Sequence, residues 1–121
     1  ESSAHDNFKQ LCLGLKEGDT KLLLKKLSPT RLVKGDFTSA VEEAEARGAS
    51  AEELRELLGR GRAKKGIFEG DLQEGELEIG QIAFLFHKQQ SVAEVMDELV
   101  AQYQTAMEIL HRDAPYLGLN K

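Results

Sequence analysis

The sequence predicts a mainly α protein with a short β-strand. Three observations predict it. Apolar residues recur at helical spacing in several segments, Ser-x-x-Glu capping boxes stand at Ser50/Glu53 and Ser91/Glu94, and one leucine-rich run, Thr20–Leu27, lies between turn signals. One core is the most that 121 residues support. With no Trp and 6% aromatic residues, that core is expected to be filled by Leu, Val and Ala, with Phe8, Phe37, Phe68, Phe84 and Phe86 as its larger pieces.

The first element is a short helix. Phe8, Leu11, Cys12 and Leu15 fall at i, i+3, i+4 and i+7, Ser3 and Asp6 form a possible cap pair, and Gly14 or Gly18 stands near its end. Cys12 lies on that apolar stripe and reads as a buried small hydrophobe, not a nucleophile. The run TKLLLKKL then suits a short strand between Gly18-Asp19 and Ser28-Pro29, with a helix as the alternative. As a lone strand it would leave unpaired backbone groups that need a partner.

Two small helices follow. Asp36 is placed to cap the first, Phe37, Val41 and Ala44 form its stripe, and Gly48 fits its end; Ser50 and Glu53 box the second, which Gly59 terminates. Both carry thin apolar sides, so each is expected to lean on something larger. From Gly59 to Gly80 glycines stand at 59, 61, 66, 70, 75 and 80 among charged residues, a scatter that favours turns and close backbone approaches over a continuous helix. Residues 82–86, IAFLF, form an almost wholly apolar run expected to be buried from several sides. The longest helix begins at Ser91/Glu94 and carries a stripe of Val92, Val95, Met96, Leu99, Val100, Tyr103, Met107 and Leu110. After Arg112, with Pro115 and Tyr116, an irregular tail is expected.

A net charge of -5 and a pI near 5.2 argue against nucleic-acid and anionic-membrane partners unless a basic patch is segregated. Two basic clusters exist, Lys21/Lys25/Lys26 and Arg60/Arg62/Lys64/Lys65; acidic residues follow the second closely, and a solvated turn is its plainer reading. One cysteine excludes an intrachain disulfide and a Cys-based zinc cluster, and fits a reducing compartment. No apolar stretch approaches a bilayer span and no signal-peptide pattern opens the chain, so the expectation is a cytoplasmic protein.

Chemistry-bearing constellations are sparse. His5, His87 and His111 are too scattered for a metal motif, and no HExxH, CxxC, Walker or GxSxG pattern occurs. Glu69, Asp71, Glu74, Glu76 and Glu78 lack calcium-loop spacing and read as a solvated acidic face. Asp71, in a turn-prone setting after Gly70, is suited to tying down backbone N–H groups. Gln81 stands between Gly80 and an apolar run, where a polar side chain must meet a partner or line a cavity.

The stretch Ala63–Leu85, AKKGIFEGDLQEGELEIGQIAFL, resembles a C-terminal signature of the nitronate monooxygenase (2-nitropropane dioxygenase) family, relatives of the flavin-dependent enoyl-acyl-carrier-protein reductases. The matching pieces are Gly66, Gly70-Asp71, Gly75 and Gly80-Gln81, with upstream agreement at Ala4-His5, Gly18-Asp19-Thr20, Pro29–Val33 and Glu43–Ala49. The resemblance extends to about Tyr103. It implies the C-terminal portion of an FMN-dependent (β/α)8 barrel that oxidises nitronates or reduces enoyl or quinone substrates. Residues 1–35 would hold the last barrel-associated helix and strand, 36–59 a helical hairpin, 60–81 a glycine-rich cap and 82–112 the C-terminal helices.

The resemblance further implies that Gly80 and Gln81 contact the flavin, Gly80 permitting close backbone approach, and that Gln81 faces the pocket while Asp71 holds the turn. It implies no catalytic group in this chain beyond Gln81 and no metal. The N-terminal strands, the histidine-bearing segment and the phosphate loops of the family have no counterpart here, so the chain alone is expected to be inactive. A missing barrel portion or a second chain would pack against it, and the parent enzyme would take a small-molecule substrate. The alternative reading is a helical interaction or dimerisation module without catalysis, its docking face on Val92–Leu110.

Overall fold

A computed structural model describes residues 1–117. They form two compact units, Ser2–Gln89 and a unit from Gln90 onward that also takes in Glu1.

The first unit is organised by a small antiparallel sheet. Strand β1 (Thr20–Leu23) pairs with β2 (Thr30–Val33) in the register Thr20 to Val33 and Leu23 to Thr30, and β2 takes a further bridge from Leu32 to Glu78. The expectation of a lone strand is therefore corrected. Only the first half of the leucine run is strand, and its partner is the Thr-Arg-Leu-Val segment just after Ser28-Pro29. The turn is made at Leu24, whose φ of 57° is left-handed, with the Leu27 N–H donating to the Leu24 carbonyl at 2.9 Å. That conformation costs a non-glycine residue about 1 kcal/mol. Leu24 is only 2% exposed, and burial of a leucine side chain offsets that cost by roughly 2 kcal/mol.

Successive residues of a strand face opposite ways, and β2 uses this to serve two cores. Leu32 belongs to one cluster with Leu23, Leu24, Phe37, Val41 and Leu54, which packs helices α2 (Asp36–Ala46) and α3 (Ala51–Leu58) on the hairpin. Val33 belongs to the other, with Phe8, Leu15 and Leu77, flanked by Leu11, Cys12 and Phe84, which packs α1 (Asp6–Gly14). Cys12 sits in that apolar setting but is half-buried where burial was expected, and desolvation pushes its thiol pKa up.

The caps are local chemistry with two corrections. The cap of α1 is His5, not Ser3 or Asp6: its Nδ1 accepts the Asn7 N–H at 3.1 Å. The cap of α2 is Gly35, not Asp36, and Thr38 Oγ1 accepts the Gly35 N–H at 2.7 Å. At the other end of α2, Gly48 takes a φ of 85°. There Lys26 Nζ donates to the carbonyls of Gly48 at 3.1 Å and Ala49 at 2.5 Å, tying the hairpin turn to the connection between α2 and α3. The Ser50/Glu53 box is formed, at 3.2 and 2.7 Å, and Gly59 closes α3.

Two expectations about burial fail. Phe68 is 52% exposed, as are Ile82, Leu85 and Phe86 at 56–58%, so the IAFLF run is a short 3₁₀ helix (Gln81–Leu85) with an uncovered apolar side. Only Ala83 and Phe84 of that run pack on a core.

The second unit is built on one long helix. Glu94 N–H donates to Ser91 Oγ at 3.2 Å and Ser91 N–H to a Glu94 carboxylate oxygen at 2.6 Å, the predicted capping box. The helix, α5 below, runs Val92–Leu117, so the irregular tail expected after Arg112 is helical as far as Leu117. A proline near the last turn removes only one hydrogen-bond donor, which the end of a helix tolerates better than its middle. Residues 118–121 lie outside the described ones. No helix among the described residues is long and apolar enough to cross a membrane.

Candidate functional site

The glycine-rich segment contains one short helix, α4 (Arg62–Ile67), and folds back so that Gly75 lies on Gly66. A Cβ on Gly66 would stand 2.7 Å from Leu77 Cδ2 and 3.0 Å from the Glu76 carbonyl oxygen. Only glycine permits this contact, because any side chain would force the two backbones apart. Beside it, His5 packs against Gly70, the His5 N–H donates to the Ile67 carbonyl at 2.8 Å, and Asn7 Nδ2 donates to the Gly70 carbonyl at 3.0 Å.

Asp71 organises the turn that follows. Its Oδ1 accepts the N–H groups of Gln73 at 3.1 Å and Glu74 at 2.9 Å, and its Oδ2 meets Lys65 Nζ at 3.2 Å. The Glu74 N–H, the Lys65 side chain and the Gln73 N–H together hold this carboxyl below the usual range. Arg62 clamps the same segment to α3. Its guanidinium donates to the carbonyls of Leu58 at 2.9 Å and Glu74 at 2.6 Å while lying 4.5 Å from the Phe37 ring centroid.

Three of the four basic residues are thereby held internally, with Lys64 on Glu69 at 3.2 Å and Lys65 on Asp71 beside Arg62. The solvated-turn reading describes this cluster better than an anion-binding patch. The acidic residues are less uniform than expected. Glu76 is 7% exposed, and among the described residues its carboxylate has no hydrogen-bond donor. Desolvation, with the neighbouring Glu78 carboxylate, pushes its pKa up against the weaker pull of Arg62, whose donors are turned to backbone carbonyls.

Beyond Glu76 the chain pairs with β2, the Val33 N–H donating to the Leu77 carbonyl at 3.0 Å and the Ile79 N–H to the Arg31 carbonyl at 3.2 Å. The pairing aligns Gly80 with an open groove of about 640 Å³ walled by Arg31, Thr30, Glu78 and Ile79. Gly80 has a φ of −65°, and nothing comes within 4 Å of the position its Cβ would take. The space at Gly80 is open on the side of this chain, whereas the chain's own close backbone contact is between Gly66 and Gly75. Gln81 opens the 3₁₀ helix and is exposed, with no hydrogen bond among the described residues.

Of the groove residues, Arg31 was not singled out from the sequence and Glu78 was read only as part of a solvated acidic face. A four-residue strand directly after Ser-Pro carries too weak an alternation to reveal its pairing, and that pairing alone brings them together. Arg31 is part-buried and its Nη1 donates to Thr20 Oγ1 at 3.2 Å. One arginine and one glutamate along a groove, with no phosphate loop leading into a helix, do not make a whole FMN site. The described residues offer at most part of a wall. They also contain no group of three His, Cys, Asp or Glu side chains that could hold a metal.

No protein-family model and no curated protein sequence matches the chain. Solved structures do. The chain is similar to FabK from Thermotoga maritima, with a TM-score of 0.76 and 23% identity over 89% of this chain and 34% of FabK. It is similar also to a methionine-to-alanine mutant of that protein, with a TM-score of 0.70 and 20% identity over 91% of this chain and 32% of the other. The chain therefore spans about a third of the FabK chains it matches, and has the fold of that part, mainly helical with a small two-stranded sheet.

Proposed function

We propose that this chain is the C-terminal part of an FMN-dependent oxidoreductase built on a (β/α)8 barrel. The observation that carries the reading is the likeness of nearly the whole chain to one third of FabK, a flavin-dependent enoyl-acyl-carrier-protein reductase. The ordered glycine and polar pieces from Gly66 to Gln81 support it independently. So does the exposed side of the 3₁₀ helix, where Ile82, Leu85 and Phe86 form an apolar surface suited to cover by the rest of a barrel.

Within this reading residues 1–35, 36–59, 60–81 and 82–112 keep the parts assigned from the sequence. Gly80 and Gln81 border the flavin pocket at the rim of the Arg31–Glu78 groove, and Gln81 offers its amide to flavin or substrate. The flavin supplies the redox chemistry; the chain supplies shape and hydrogen bonding. FabK likeness favours reduction of an enoyl or quinone substrate over nitronate oxidation. The decisive experiment is the intact denatured mass of the native gene product, with a visible spectrum of the same sample, followed by enoyl, quinone and nitronate assays. A mass well above 13.4 kDa with bound flavin is expected. A flavin-free product of the chain's own mass would defeat the reading.

A further inference from the structure

We propose that Arg31 anchors a site for a phosphate monoester in the groove between β2 and the Glu78–Gly80 segment. The proposal goes beyond the flavin reading and stands on the groove alone. Its failure would leave that reading untouched, since the flavin reading rests on the likeness of the whole chain.

Alternation along β2 decides where Arg31 lies. Leu32 faces the core shared with α2 and α3, so Arg31 and Val33 leave the sheet on the other face, with Thr20 and Ile79 as cross-strand neighbours. The guanidinium therefore stands at the end of an apolar face. Arg31 is part-buried, and its Nη1 donates to a neutral oxygen, Thr20 Oγ1, at 3.2 Å. No carboxylate oxygen of a described residue lies within 4 Å of it. Glu78 stands opposite Leu32 in the pairing, so its side chain leaves by the opposite face and gives Arg31 no counter-charge. Lys21, by contrast, the neighbour of Thr20 on β1, has Glu42 at 2.7 Å.

A guanidinium keeps its charge at any working pH, and a partly desolvated charge without a partner is costly. Among the described residues Nε and Nη2 of Arg31 have no acceptor, which leaves open the planar fork that suits an oxyanion. The bond to Thr20 holds that fork in place. Arg31 shares the groove with Ser28, Pro29, Thr30 and Gly80, and its volume of about 640 Å³ is in the range of small-molecule sites. The Thr30 hydroxyl donates to the Ser28 carbonyl at 2.8 Å, whereas the Ser28 hydroxyl has no partner among the described residues. The groove thus offers the two donors of the fork and one hydroxyl. A phosphate monoester has a terminal oxygen for each of them; a carboxylate and a phosphodiester lack the third.

The test is a nuclear magnetic resonance titration of the 121-residue chain at constant ionic strength, following the Arg31 Nε–H signal and the amides of Thr30, Arg31 and Gly80. The probes are inorganic phosphate, glycerol 3-phosphate, the diester glycerophosphocholine, and acetate. Inorganic phosphate and glycerol 3-phosphate should give saturable shifts in the millimolar range, roughly tenfold tighter than the diester or acetate. Arg47 and Arg60, both exposed, are internal controls that should shift only linearly. Arg31→Lys keeps the charge without the fork and should weaken binding by roughly tenfold, with the amide spectrum otherwise retained. An Arg31 signal that moves no more than those of Arg47 and Arg60 overturns the proposal in the unmodified chain, whatever the variant does. Equal response to acetate or to the diester overturns the monoester assignment, and binding indifferent to Arg31→Lys overturns the role of Arg31.

Discussion

Gly66 and Gly75 meet backbone against backbone, so that a Cβ on Gly75 would collide with the Cα of Gly66 and the carbonyl oxygen of Asp71. No flexible side-chain end stands there to yield. Gly75→Ala is therefore expected to destabilise the first unit by about 1–3 kcal/mol, the range for overpacking a tight interior. Gly80→Ala, where nothing stands within 4 Å, should leave stability nearly unchanged. Urea titration of the two variants checks the contrast, and equal losses would show that the Gly66–Gly75 contact is not what holds the segment.

Arg62 joins three pieces of the first unit through two short hydrogen bonds to the Leu58 and Glu74 carbonyls and a ring contact with Phe37. Lysine keeps the charge but not the planar fork. Arg62→Lys should cost about 1–3 kcal/mol and increase amide exchange at Gly75 and Glu76 first, because the Arg62 carbonyl accepts the Glu76 N–H at 3.0 Å. Exchange that rises uniformly over the unit would mean that Arg62 stabilises the whole fold and not this junction.

Asp71 has a folded pKa below its ordinary value, so its contribution to stability is present above the ordinary carboxylate range and is lost as pH falls through the folded value. Asp71→Asn keeps the shape but weakens the charged acceptor for the Gln73 and Glu74 N–H groups. It should lower Tm at neutral pH and do so less at the acidic end. A Tm deficit independent of pH would remove ionisation from the account of this turn.

What was legible in the sequence follows from the range of each interaction. Ser50/Glu53 and Ser91/Glu94 close within one helical turn, so their chemistry is written locally and the structure contains both. The stripe placed Cys12 on the apolar side of its helix, where it is half-buried. The pairing of Thr20–Leu23 with Thr30–Val33 was not legible, because the turn rests on Leu24 in a left-handed conformation that no Gly or Asn announces. Burial at residues 82–86 was misread because apolarity says that a surface wants cover, not that this chain supplies it. In the candidate site, the turn role of Asp71 could be read from a Gly-Asp pair. The Arg31–Glu78 groove depends on a pairing across 46 residues of sequence, between Leu32 and Glu78, which no local pattern encodes.

Glu76 titrates in the opposite sense to Asp71, only five residues away. It is 7% exposed, without a hydrogen-bond donor, beside Glu78, and its pKa is raised. A carboxyl with a raised folded pKa favours the folded state in its protonated form. Its stabilising contribution is therefore full below the ordinary glutamate pKa and is lost as pH rises through the folded value. At neutral pH the ionised group costs stability, since burial of the residue leaves its charge only partly hydrated and the Glu78 carboxylate stands beside it. Glu76→Gln removes the charge at nearly constant shape, so it should raise Tm at pH 7 and change it little near pH 4, removing the part of the pH dependence that Glu76 ionisation contributes. Thermal melts of both proteins across this range decide the matter. If Glu76→Gln instead lowers Tm at pH 7, the carboxylate is being stabilised by a partner, and the groove side of the Gly75–Glu78 segment is where that partner should be sought.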